Sequence, residues 1–203
     1  MTLMGILCAV ATAEPLAEAG AGLSYAQTRS EIPVVSDPPN WSGRQVIAGW
    51  SPLVHAGVGM GVTEDISVWG FGQLWWAPSP DERRDGALAP PANVRLAGLH
   101  AGMTMRYGFG PGLHAGAGLG LAGIRFRTSD SFVITRKPGL GISAELGWER
   151  ELGSGLGLGA SIVTTAHLVP QGGPLDTRWS GGEVGLRLRV ATGRSRSRAD
   201  RAG

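Results

Sequence analysis

The sequence predicts an all-β protein: an antiparallel up-and-down barrel, of eight strands, that crosses a membrane. Three observations carry that prediction. Apolar residues recur at every second position over most of the chain, which is the side-chain period of a strand and not of a helix. The connections between the alternating segments are short and long in turn. The face opposite the apolar one carries glycine, serine and scattered charges where a water-facing surface would carry many lysines and glutamates.

Composition agrees. Glycine is 34 of 203 residues, well above the usual ~7 %, and charged residues are 17 % against a typical ~25 %. No stretch offers the ~18 consecutive apolar residues of a transmembrane helix, so a crossing of the membrane would use strands.

The elements follow in chain order. Residues 1–13, MTLMGILCAVATA, form a signal-peptide-like segment: a short apolar run ends in Ala11-Thr12-Ala13, a small-x-small cleavage pattern, without the usual basic start. The chain's one cysteine, Cys8, lies within it, so a processed chain would have neither disulfides nor cysteine metal sites. Leu7 stands where lipid attachment at Cys8 would want a small residue. The barrel is predicted over 18–192, and its first segment, 18–28, alternates least clearly.

In LVHAGVGMGV, Val54, Ala56, Val58, Met60 and Val62 share a face. ISVWGFGQLWW, residues 66–76, has large residues at both parities, so its facing is open. LHAGMTMRYGF puts Leu99, Ala101, Met103, Met105, Tyr107 and Phe109 opposite His100, Thr104 and Arg106. In LHAGAGLGLAGIRF the parity of the apolar residues slips near Ala122 and Gly123, which suggests a bulge. GLGISAELGWER sets Leu140, Ile142, Ala144, Leu146 and Trp148 against Glu145 and Glu149. GLGLGASIVTTAHL and GGEVGLRLRV continue the alternation, the last with Val184, Leu186, Leu188 and Val190 opposite Glu183, Arg187 and Arg189.

Thr63-Glu64-Asp65, Gly110-Pro111-Gly112 and Leu152-Gly153-Ser154 read as tight turns. Residues 29–49, 77–92, 128–138 and 170–180 read as long polar loops. The tail 193–203, GRSRSRADRAG, holds Arg194, Arg196, Arg198 and Arg201, and supplies much of the net charge of +2 in a chain whose only lysine is Lys137. With nothing aromatic or apolar between its arginines it reads as a basic, disordered, solvated terminus, and no nucleic-acid partner is expected.

Aromatic rings gather near the segment ends. Trp50, Trp75, Trp76 and Trp179 adjoin the long loops, and Tyr107, Phe109 and Trp148 lie near short turns. Such rings prefer the headgroup level, which predicts two girdles around a lipid-embedded barrel. Trp69, Phe71 and Trp75 would instead fill the lumen if the third strand turns them inward.

With the polar face inward, Arg106, His114, Glu145, Glu149, Glu183, Arg187 and Arg189, and with them Glu18, form a candidate network of lumen charges, since lone charges in such an interior are costly and should pair. A plug of salt bridges that fixes register is the expectation, ahead of a selective or gated lumen. His55, His100, His114 and His167 fall on four different segments without ligand spacing, so no metal site is expected. GLGLAG matches the dinucleotide-binding glycine pattern only formally, because it lies inside a strand and opens no helix. Asn40-Trp41-Ser42 is a chance-level sequon. No Ser/His/Asp or Cys/His arrangement is present, and Asp81, Glu82, Asp85, Asp130 and Asp176 read as solvated loop charges, so no catalytic residue and no cofactor is assigned.

On this alternation, loop asymmetry and placement of aromatics, residues 18–192 resemble the small outer-membrane β-barrel proteins of the OmpA/OmpX kind in the broad sense. The resemblance implies the outer membrane of a Gram-negative bacterium, contact with membrane lipid and with a barrel-assembly machinery, and long loops facing outside the cell; a monomer is expected. Such barrels usually end on an aromatic residue, whereas this chain runs past Val190 into its arginine tail. The function expected is non-enzymatic, structural or surface-recognising through four long loops. The alternative is a soluble periplasmic lipocalin-like barrel with its apolar face inward around a small apolar ligand; the sparse charge on the polar face speaks against it.

Overall fold

A strand in lipid needs a hydrogen-bonding neighbour on both edges, and only a closed ring supplies one everywhere. The computed structural model is such a ring. It describes residues 15–32, 43–89, 93–127, 133–135, 138–153, 156–169 and 179–192. The leader-like segment 1–13, the tail 193–203, residues 33–42 and most of the loops 128–138 and 170–180 lie outside the described residues; the expected loop 29–49 is corrected, since 29–32 and 43–49 are strand and 29–32 pair with 43–46.

The strands are β1 (Pro15–Ile32), β2 (Gly43–Gly61), β3 (Ile66–Ala77), β4 (Asp81–Arg84), β5 (Ala87–Leu88), β6 (Arg95–Gly108), β7 (Leu113–Arg127), β8 (Val133–Thr135), β9 (Gly139–Gly153), β10 (Leu156–Val169) and β11 (Trp179–Thr192). Setting aside the short β4, β5 and β8 leaves eight long strands. They run in the order β1-β11-β10-β9-β7-β6-β3-β2, and β2 pairs back to β1. Every junction is antiparallel, and long strands consecutive in sequence are neighbours in space. β1, the least legible segment, is the strand that closes the ring: Ala19 faces Ala56 on one side and Val190 on the other.

The facing of the alternation decides the solvent. Val58 is 68 % exposed, Leu121 67 %, Leu119 64 % and Met103 61 %, while Glu18, His100, Arg106 and Glu145, set at the opposite parity, are buried. The apolar side chains therefore form the outer wall and the charged ones the interior. This overturns the soluble lipocalin-like alternative, which requires the reverse facing.

Two further expectations are corrected. No bulge occurs at Ala122 and Gly123: β7 keeps unbroken register with β6 from Leu113's neighbour His114 to Arg127. What changes there is the interior, because Ala122, Ile124 and Phe126 stay on the inward parity and meet an apolar upper lumen. The register shift of the wall lies instead between Leu156 and Gly157, next to a short turn.

The stretch 77–92, expected as a loop, carries a hairpin. β4 pairs with Gln45–Ala48 of β2 beyond the end of β3, and β5 pairs with β4. Asp85 and Gly86 turn the chain with φ of 49° and 87°, positive at both central residues as a two-residue I′ hairpin demands. The wall is thus extended at the long-loop end.

Candidate functional site: the filled lumen and its mouth

At the short-turn end β1, β6 and β9 each turn a charged side chain inward, and β2 and β7 each turn a histidine inward. Arg106 is the hub. Its guanidinium donates to Glu18 from both terminal nitrogens, at 2.6 and 2.7 Å, and from Nε to Glu145 at 3.1 Å. His55 donates from Nε2 to Glu18 at 2.6 Å, and His114 lies 3.4 Å from Glu145. The Arg106 guanidinium also sits 4.7 Å over the ring of Trp69, whose indole N–H donates to Ser67. Two carboxylates and one guanidinium deep in a low-dielectric interior stay ionised only when so paired. The bidentate Arg106–Glu18 contact also fixes how strands distant in sequence meet.

Glycine makes room for this. Glu18 pairs across the sheet with Gly57, Arg106 with Gly116, His114 with Gly147 and Trp75 with Gly98. A methyl group at Gly147 would meet the His114 ring at 2.5 Å, and one at Gly59 would meet Trp69 at 2.5 Å. Several inward glycines therefore lie beneath a large neighbour, whereas Gly102 and Gly120 face each other, and a methyl group at either would meet the other's Cα at 2.5 Å.

Above the charges the rings continue. His55 stacks on Phe71 at 6.0 Å, Phe71 meets His100 edge-on at 4.9 Å, His100 meets His167 at 5.6 Å, and His167 stacks on Trp75 at 6.1 Å. Trp75 belongs to an apolar cluster with Ile47, Leu53, Leu96, Ile124 and Phe126. From His114 to the apolar cluster that holds Phe126, side-chain contacts therefore run without a break among the described residues. Both ring nitrogens of His167 are buried without a hydrogen-bond partner among the described residues, as is the Trp75 indole nitrogen. At the mouth Glu82, expected to be solvated, is buried and accepts from Gln45 at 2.9 Å and Arg84 at 2.8 Å. Asp85 accepts from the Arg44 backbone N–H at 2.8 Å.

Of the charges expected from sequence, the structure joins Arg106, His114, Glu145 and Glu18, and adds His55. All four histidines of the chain are buried. Among the described residues no group of three or more His, Cys, Asp or Glu is gathered as a metal would require. Glu149 is partly exposed near the short-turn end. Glu183, Arg187 and Arg189 pair in register with Thr165, Ser161 and Gly159; their side chains lie outside the described residues, as does that of Trp179. Trp75 is a correction to the expected girdle: it is 1 % exposed and fills the lumen, because β3 turns Trp69, Phe71 and Trp75 inward and leaves Trp76 outward. His55 had no sequence signal beyond its polar parity.

The outer wall ends in rings. Tyr25 and Trp50 meet edge-on at 5.6 Å, with Trp76 also exposed, toward the long-loop end. Tyr107, Phe109 and Trp148 are exposed toward the short turns. An apolar wall between such rings, closed on itself around a polar and aromatic interior, has only one compatible solvent, a bilayer. The chain is a transmembrane β-barrel. Short turns at one end and long connections at the other are the arrangement described for barrels of Gram-negative outer membranes.

No family model matches the chain, and no curated protein does. Among solved structures it is similar to Neisserial surface protein A, with 15 % identity, 86 % of this chain and 96 % of that one covered and a TM-score of 0.48. It is also similar to the outer membrane protein OprG from Pseudomonas aeruginosa, with 10 % identity, coverages of 87 % and 96 % and a TM-score of 0.47. A third is Ail, the attachment invasion locus protein of Yersinia pestis, with 11 % identity, coverages of 85 % and 97 % and a TM-score of 0.37.

Proposed function

We propose that this protein is a plugged, non-enzymatic barrel whose role, structural or surface-recognising, is carried by its long-loop end. The observation that supports this reading is the filled lumen. The contact series Trp75–His167–His100–Phe71–His55–Glu18–Arg106 runs down the interior, and the apolar cluster sits above it. A solute path through the barrel would have to displace packed rings and a buried ion cluster together. The polar groups capable of acid–base chemistry, Glu18, His55 and Glu145, are buried beside that packing. The acidic residues near the mouth are engaged, Glu82 with Gln45 and Arg84 and Asp85 with the Arg44 backbone.

The reading implies a monomer delivered by a barrel-assembly machinery, with lipid as its solvent and no cofactor. Planar-bilayer recording of the refolded chain tests it: no stable conductance is expected, and replacing Trp75 and Phe71 by glycine should open a measurable one. A steady conductance in the unmodified protein would overturn the plugged reading.

A further inference from the structure

The upper lumen holds a second polar group of residues, separate from the charge cluster around Arg106. His100 of β6 and His167 of β10 meet with ring centroids 5.6 Å apart, and neither side chain is reached by solvent. Trp75 stacks on His167 at 6.1 Å and 26°, and Phe71 meets His100 edge-on at 4.9 Å, so aromatic neighbours hold both rings in place. Gly141 is a backbone hydrogen-bond partner of His100 and lies against the Nε2 edge of its ring. A histidine whose one nitrogen donates to a backbone carbonyl presents the other as a lone pair, and the Nδ1 of His100 is buried with no hydrogen-bond partner among the described residues. Both ring nitrogens of His167 are buried in the same way. Two such rings in contact cost free energy unless a common partner takes their nitrogens.

β11 adds a carboxylate at this level. Glu183 pairs with Thr165 of β10 and with Ala26 of β1, both buried. Thr165 lies two residues from His167 on the same inward face. Glu183 and His167 therefore occupy diagonal positions on neighbouring strands, about 7–8 Å apart at Cα and within reach of a long side chain. The positions that flank Glu183 are Ser24, Ala26 and Thr28 on β1 and Val163, Thr165 and His167 on β10; none is lysine or arginine. A carboxylate in such an interior stays ionised only beside a cation.

We propose that His100, His167 and Glu183 form a site for a structural divalent ion of the zinc class. Two imidazole nitrogens and a carboxylate oxygen, with no thiolate, are a donor set that suits zinc, whereas magnesium and calcium prefer oxygen alone. One ion would take a lone pair from each ring and supply the cation that Glu183 requires. The three donors belong to β6, β10 and β11 and carry no ligand spacing in the sequence; only closure of the ring brings them to one level. The site lies inside the packed interior, so the ion enters as the barrel folds and staples three strands of the plug, with no solute path required.

The test is zinc retention by the untagged full chain, refolded in detergent with zinc sulfate and then desalted in a weak chelator. Metal analysis should find about one zinc per chain. The double variant His100→Phe/His167→Phe should keep less than about a tenth of that, and Glu183→Gln should bind about tenfold or more weakly. His114→Gln, in the charge cluster, should retain zinc in full. Heat modifiability of the same samples identifies the variants that fold. Zinc should raise the thermal midpoint of the parent and leave that of His167→Phe where it was, while the two should melt alike in a strong chelator. X-ray absorption of the zinc held by the parent needs no variant: two imidazole nitrogens at about 2.0–2.1 Å and a carboxylate oxygen are expected. No retained zinc, full retention by the double histidine variant, undiminished binding by Glu183→Gln, loss of zinc from folded His114→Gln, or an oxygen-only shell would each overturn the proposal.

Discussion

At the scale of single residues the interior is governed by what happens when one member of a packed set is removed. Arg106 faces two carboxylates, Glu18 and Glu145, all three buried. Arg106→Met leaves those carboxylates without their shared cation, and breaking a buried ion set this way costs about 3–5 kcal/mol. The denaturant midpoint of the heat-shifted form should fall accordingly, and adding Glu18→Gln and Glu145→Gln should recover much of the loss, because the penalty lies in the orphaned charges. His167 is the opposite case. Its ring nitrogens make no hydrogen bond among the described residues, and it touches Trp75 and His100 by its faces and edges. His167→Phe keeps the ring and removes buried polar atoms, so stability should stay within about 1 kcal/mol of the parent or rise. A thermal midpoint lowered by many degrees would show that His167 has a polar partner after all.

At the scale of elements the hairpin β4–β5 is the separable piece. Its turn needs positive φ at Asp85 and Gly86, and a β-branched residue in that region costs about 1–2 kcal/mol. Gly86→Val should loosen the hairpin without opening the ring, since β2 still pairs with β1 and β3. Limited proteolysis should then nick the chain within 78–94 while the heat shift persists. The Asp85-Gly86 pair was a hairpin signal in plain sight, hidden by the polarity of its surroundings. Other elements were legible where period two met large side chains, as in β6, β9 and β10, whose outward and inward sets fall where alternation put them. β1 was obscured because alanine at 17, 19 and 21 marks the lipid face as weakly as glycine at 20 and 22 marks the lumen. β3 was ambiguous because tryptophan serves both faces, Trp75 within and Trp76 without, and only pairing to β2 and β6 settles the parity. The false bulge in β7 has a physical reason too. The interior turns from charged to apolar toward the long loops, so Ile124 and Phe126 are inward residues that look like lipid-facing ones. Arg106, His114 and Glu145 could be gathered from strand parity, but the link from Arg106 to Glu18 spans 88 residues and exists only once the ring is closed.

At the scale of the whole molecule the decisive property is that the mid-wall is inverted: its exposed side chains are apolar, and the interior holds the charged and aromatic ones, with an apolar cluster only toward the long loops. That inversion makes the cost of a new charge depend on depth, which a soluble barrel cannot imitate. Leu119 is 64 % exposed at the centre of β7, while Val62 is 42 % exposed at the β2–β3 turn. By exposure alone Leu119 is the more tolerant site, and in water an arginine there would be harmless. In a bilayer the order reverses. Arginine on the lipid face costs about 2–4 kcal/mol at the midplane and about 0–1 near the interface. Leu119→Arg should therefore lower the folding midpoint in lipid vesicles substantially, and Val62→Arg should leave it nearly unchanged. The same pair compared in bilayers of thinner hydrocarbon should converge, because the midplane charge then lies closer to water. Equal midpoints for the two variants in every bilayer would mean that the exposed leucines and valines of the wall do not face lipid, and the inverted burial would need another solvent to explain it.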